Sequence, residues 1–208
     1  MPLKFANNQS LTSTTSLPAA VPTDNLILIS TQTASNSASI SFTSGLDSTY
    51  DMYEFHFLDI HPSTGGTNNF FQFNFSTDGG SNYNVTKTTT AFDAYLDEAG
   101  TGGILEYDGN GIDLAQSTSY QKLHVYRLSD AVADESMAGV MQIFNPSSTT
   151  YVKHFISRTN NSNAGTYCVQ TFVAGYGNTT SAINAILFNS STAGNFNGTI
   201  KLYGVKKS

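Results

Sequence analysis

Four histidines, one cysteine and two small groups of carboxylates are the side chains here whose chemistry goes beyond packing. His56, His61, His124 and His154 show neither His-x-His nor His-x-x-x-His spacing. A metal site would have to be assembled from distant strands. The plainer expectation is ordinary polar residues on sheet faces. Cys168 has no second cysteine to pair with, and TYCVQTFV places it inside an apolar strand pattern. It reads as a small buried hydrophobe, with a nucleophile as the alternative. Asp93, Asp97, Glu98 and Glu106 cluster in sequence, and a carboxylate pair is what glycoside hydrolysis needs. A solvated acidic edge is the expected role. Asp108-Gly-Asn-Gly-Ile-Asp113 opens like a calcium loop, with oxygen ligands at its first, third and sixth places. It departs at the fifth, Ile112, and at the twelfth, where Ser119 replaces a glutamate. A tight Asp-Gly and Asn-Gly turn is the expectation. No Gly-x-Ser-x-Gly elbow and no phosphate-binding Gly-x-x-x-x-Gly-Lys-Ser/Thr occurs. The expectation is a protein that is not an enzyme and carries no cofactor or metal.

Composition narrows the partners. Charged residues are only 12% of the 208, and Ser, Thr, Asn and Gly supply the polarity. Such residues favour turns and strand surfaces over helix interiors. Fourteen Phe and eleven Tyr provide far more apolar area than a disordered chain carries. A net charge of -6, with nine Lys and Arg, argues against nucleic acid. No apolar run reaches the length of a membrane span. The Asn-x-Ser/Thr sequons at Asn74, Asn84, Asn178 and Asn197 are expected by chance in so Asn-rich a chain.

The elements that must position these residues are strands. Leu26–Ser30 is a short apolar run, and Ala38–Phe42 alternates. In DMYEFHFLDI, Tyr53, Phe55 and Phe57 face one way and Met52, Glu54, His56 and Leu58 the other. In FFQFNF, Phe71, Phe73 and Phe75 oppose Gln72 and Asn74. With HPSTGGTNN between them, these two segments read as a hairpin with cross-strand aromatic pairs. The Asp-Gly-Gly of STDGGSN supplies positive φ for a turn. Residues 85–90 read as a strand, 91–97 as a strand or a helical turn, and 104–107 as a short strand. Residues 119–128 alternate, with Gln121, Leu123 and Val125 on one face. Residues 129–138 read as a loop. Strands follow at 139–145, 151–157, 167–174, 182–188 and 198–205, broken by Asn145-Pro146, the polar run 158–165, and Tyr176-Gly177-Asn178. Ten to twelve short strands with little helix predict an all-β, antiparallel, jelly-roll-like β-sandwich over 24–208. The last strand is expected to pair with early ones.

Residues 1–23 read as an extended N-terminal arm. It is polar, contains Pro2, Pro18 and Pro22, and carries isolated apolar residues at Leu3, Phe5, Leu11, Leu17 and Val21. Such residues suit a segment that orders against a partner.

Several stretches carry a resemblance. They are LISTQTASNSASISFTSGLDSTYDMYEFHFLDIHPST (28–64), FQFNFSTDGGSNYN (71–84), DLAQSTSYQKL (113–123), FNPSSTTYVKHFIS (144–157), AGYGNTTSAINAILF (174–188) and GNFNGTIKLYGVKK (194–207). Together they resemble a family of tailed-bacteriophage structural proteins found in phages of marine and freshwater bacteria. The resemblance implies a non-enzymatic virion component. One station is the outer head surface, as a decoration or cement protein bound to the major capsid protein. The other is a fibre or tail-associated protein that touches a host glycan through a carbohydrate-binding sandwich. Either implies a homo-oligomer, with a trimer as the guess. The absence of Trp leaves only Tyr as an aromatic sugar platform of the usual kind.

Overall fold

A computed structural model describes residues 25–64, 66, 69–107, 111–131, 134–163, 167–192 and 194–206. Leu3, Phe5, Leu11, Leu17 and Val21 of the proposed arm lie outside these residues, as do Asp108, Gly109 and Asn110 of the calcium-like loop.

Among the described residues, alternating apolar and polar residues build twelve strands. They are β1 (Leu26–Ser37), β2 (Ser39–Phe42), β3 (Met52–Pro62), β4 (Phe71–Ser76), β5 (Lys87–Asp97), β6 (Gly103–Tyr107), β7 (Gln121–Lys122), β8 (Met137–Phe144), β9 (Lys153–Asn163), β10 (Tyr167–Gly177), β11 (Ala185–Ser190) and β12 (Phe196–Val205). Two antiparallel sheets result, in the orders β1-β12-β3-β8-β9-β10-β5-β6 and β2-β11-β4-β7. The fold is an all-β sandwich, not closed into a barrel. Its first four neighbours, β1-β12-β3-β8, and the whole of β2-β11-β4-β7 have the strand order of a jelly roll, in which the chain passes between sheets. Two hairpin-like additions extend the larger sheet: β9–β10 and β5–β6. As expected, the last strand is tied to early ones, lying between β1 and β3.

The core is aromatic. Phe188 on β11 meets the rings of Phe42, Phe55, Phe57, Phe71 and Phe73. All of these are buried. Aromatic contact adds to the area such side chains remove from water.

The expected β3–β4 hairpin is overturned. β3 and β4 lie in opposite sheets and face one another, with Phe57 and Phe71 in edge contact at 5.4 Å. Each ribbon has one aromatic face, and stacking the sheets buries both, whereas side-by-side pairing would leave the shared face uncovered.

Three other readings are corrected. Of 119–128, only Gln121–Lys122 forms a strand. Beyond it the main chain bonds to side chains of the larger sheet: Thr159 Oγ1 donates to the Leu123 carbonyl, and Val125 N–H donates to Thr171 Oγ1. Gln121, Leu123 and Val125 do share a buried face. The polar run 158–165 does not break β9, which continues to Asn163, because its inward Thr159 and Asn161 find partners in that same segment. Cys168 is exposed, not buried, because the register turns Val169 inward and Cys168 out.

Gly198 shapes the β3–β12 pairing. Its φ is +127°, and an added Cβ would lie 2.8 Å from the Asp59 carbonyl oxygen. Asp59 itself has φ +52°, and both ladders of β3 slip register near it.

Candidate binding face of the eight-stranded sheet

One face of the larger sheet packs on the core; the other faces solvent. Register fixes which side chains line the outer face. One row across the strands runs Thr90, Ala174, Ile156, Gln142, Glu54, Tyr203. The next runs Phe92, Phe172, Arg158, Val140, His56, Lys201. On the other side of the first row stand Thr88, Tyr176 and His154.

The first row is the floor of a trough, because Ala174 is small between two bulkier flanks. One hollow of about 540 Å³ is lined by Thr90, Phe144, His154, Ile156, Ala174 and Tyr176. A second, of about 270 Å³, is lined by Val140, Gln142, Ile156, Arg158 and Phe172. Ile156 belongs to both. Phe92 and Phe172 stack at 4.7 Å on one flank. Beyond Gln142 the surface becomes polar. Gln142 Nε2 donates to Glu54 Oε1 at 2.7 Å, Glu54 Oε2 meets His56 Nε2 at 2.9 Å, and the His56 ring lies 4.6 Å from Tyr203. The trough thus offers apolar walls with a guanidinium, an amide and imidazoles at its rim, the mix of a small-ligand site.

The histidines stand apart. His56 and His154 lie on the outer face, as expected of sheet-face residues. His61 donates from Nδ1 to the Asp59 carbonyl and accepts from Asn197 Nδ2. His124 is no surface residue: it is buried, its Nδ1–H donates to the Tyr126 carbonyl at 2.7 Å, and its Nε2 accepts from Phe71 N–H at 2.8 Å. Burial pushes its pKa down to about 4. Among the described residues no group of three His, Cys, Asp or Glu is placed to hold a metal.

The carboxylate cluster is dispersed. Asp93 is fully buried, against the expected solvated edge, because its place in β5 alternates with outward Phe92 and Ala94. Glu106 is its cross-strand neighbour. Asp97 closes the β5–β6 turn, accepting from Thr101 N–H and Oγ1–H, bonds that hold its pKa below the usual carboxylate value. Glu98 is exposed in that turn. Asp93 and Glu106 cannot serve as a glycosidase pair, since no sugar reaches a carboxylate buried under the sheet.

Sequence reasoning missed the trough. Its residues come from separate strands, and only register brings them into rows. It also missed a buried polar layer on the inner face of the extension. There Thr89 Oγ1 donates to Gln121 Oε1 and accepts from Leu114 N–H, while Gln121 Nε2 donates to the Ile112 carbonyl. Runs such as TTT at 88–90 are the only sequence hint of it.

No family model, no curated protein and no solved structure matches this chain.

Proposed function

We propose that the chain is a non-enzymatic structural protein of a tailed-phage virion, seated on the outer head surface as a decoration or cement protein that stabilises capsomer contacts. The observation that carries this reading is the jelly-roll strand order with its larger sheet extended into an eight-stranded plate. Jelly rolls are a recurrent architecture of viral shell and lectin domains, a likeness of fold and so an analogy only. A stiff plate with a cross-packed aromatic core suits a part that bears lateral contacts. The family resemblance of the six quoted stretches points the same way. The partner is the major capsid protein, and the apolar residues of the arm, Leu3 to Val21, are the proposed grip. Neither nucleic acid nor membrane is a proposed partner; among the described residues no helix is long and apolar enough to cross a bilayer.

The test is sedimentation of the purified chain with phage heads lacking it, followed by electron microscopy of the particles. Ordered density on the outer head surface supports the proposal. Deletion of residues 1–23 is expected to leave folding intact and abolish attachment. Heads that bind neither form would refute a cement role.

The trough favours a second reading, a fibre or receptor-binding protein that holds a host glycan. Arg158, Gln142 and His154 supply hydrogen-bonding groups beside Tyr176 and Phe172. Titration with linear hexasaccharides tests it: binding lost in Arg158→Ala supports a glycan site, and no heat with any of them removes it.

A further inference from the structure

We propose that the β5–β6 edge is a self-association surface, where the larger sheet continues into that of a second copy of this chain across a two-fold axis. Four observations converge. β6 is the last strand of its sheet, and no described residue pairs with its far side. An open edge is a template for another strand unless it is blunted by charge, proline or a bulge. β6, Gly-Ile-Leu-Glu-Tyr, has one charge, no proline, and a ladder with β5 in unbroken register.

Second, exposed apolar side chains concentrate there. Five of the nine exposed large hydrophobics among the described residues are Phe92, Leu96, Ile104, Leu105 and Tyr107. Leu105 is 72% exposed and Tyr107 62%. Pairing of Ala94 with Leu105 and of Phe92 with Tyr107 puts Phe92, Leu96, Leu105 and Tyr107 on the outer face. A monomer rarely leaves so many together.

Third, the strand is self-complementary. In an antiparallel pairing centred on Leu105, Glu106 lies opposite Ile104 of the second copy and the two Glu106 side chains are diagonal neighbours, so no like charges stand directly opposite.

Fourth, the area sets the strength. Strand addition covers the main-chain edge and the flanks of Ile104, Leu105 and Tyr107, while Phe92 and Leu96 stand one strand further in on β5. The contact is therefore smaller than the roughly 800 Å² per partner of a standard specific interface, and dimerisation is expected to depend on concentration. The inference does not rest on the virion reading.

The test is sedimentation velocity of the full chain over a concentration series, with hydrogen exchange of the β6 amides. Wild type is expected to form a dimer, and β6 amides are expected to gain protection as concentration rises. Leu105→Asp is expected to weaken dimerisation at least about tenfold, with the melting temperature of the dilute, monomeric protein unchanged, because the side chain is exposed in the monomer. Tyr151→Asp, at an exposed position elsewhere, is expected to change nothing. A monomer at every concentration, an assembly unmoved by Leu105→Asp, or β6 protection independent of concentration, as cover by another part of the same chain would give, overturns the proposal.

Discussion

Lys87 and Lys153 both pair with Gly177, one from each side, so two lysines stand in one row at the end of β10. Both are buried. Among the described residues neither is held by a carboxylate: Lys87 Nζ donates to Asn74 Oδ1 and the Val85 carbonyl, and Lys153 Nζ to the carbonyls of Tyr151 and Thr179. Carbonyl dipoles cap the ends of these side chains, while their stems fill the mouth of the sandwich. Burial lowers both pKa values, that of Lys87 to about 7.

That row predicts an alkaline gain in stability. Unfolded Lys87 keeps its proton up to about pH 10.5, whereas the folded form releases it near 7. Between those values the unfolded state binds more protons, so stability rises with pH. The urea midpoint is expected to increase from about pH 7.5 to about pH 9.5, and Lys87→Met to flatten the rise. An equal slope in that variant would show that the lysine is not responsible. Above pH 10 the sign reverses, because burial holds the Tyr126 phenol up at about 12 and the folded chain then retains the proton.

On the acid side His124 acts first, at higher pH than Asp47, Asp78 and Asp97, whose hydrogen bonds hold their pKa values below the usual carboxylate value. Its pKa is near 4 folded and 6.5 unfolded, so stability is lost as pH falls between them. Protonation would also remove the acceptor for Phe71 N–H. The melting temperature is expected to drop over this interval, and the imidazole NMR resonances of His124 should titrate near pH 4. A His124 resonance titrating near 6.5 would contradict its buried, singly protonated state.

Phe188→Ala is expected to cost about 3–5 kcal/mol, because five phenylalanine rings lose their common neighbour and a cavity remains. Phe55→Ala and Phe73→Ala belong to the same range, both residues being fully buried. Chemical denaturation measures all three. A loss below about 1 kcal/mol would mean the sandwich collapses around the gap.

Gly198→Ala is expected to destabilise by at least about 1–3 kcal/mol, since the residue combines positive φ with contact against Asp59 and Ile60. Gly111→Ala is the control, with positive φ and open space around its Cβ. If both variants lose the same amount, backbone strain alone explains the effect and the tight β3–β12 approach contributes nothing.

The chain by itself determined the alternation. A two-residue period is local, so Tyr53-Phe55-Phe57 and Phe71-Phe73-Phe75 announce their inner faces without help, and so do the antiparallel, sandwich-forming strands around them. Gly79 and Gly80 announce their turn in the same way, with φ of +73° and +91°. Pairing is not local. Only the tertiary structure decided that β3 faces β4 rather than lying beside it, since either arrangement satisfies the same pattern of side chains. It also decided that Thr159 and Asn161 continue a strand, because their cost of burial depends on partners more than thirty residues away. The trough and the β6 edge belong to that second class. Each is made of neighbours across strands, and neighbours across strands are set by register and sheet order, which hydrogen bonding between distant segments fixes only once the two layers have closed on the phenylalanine core.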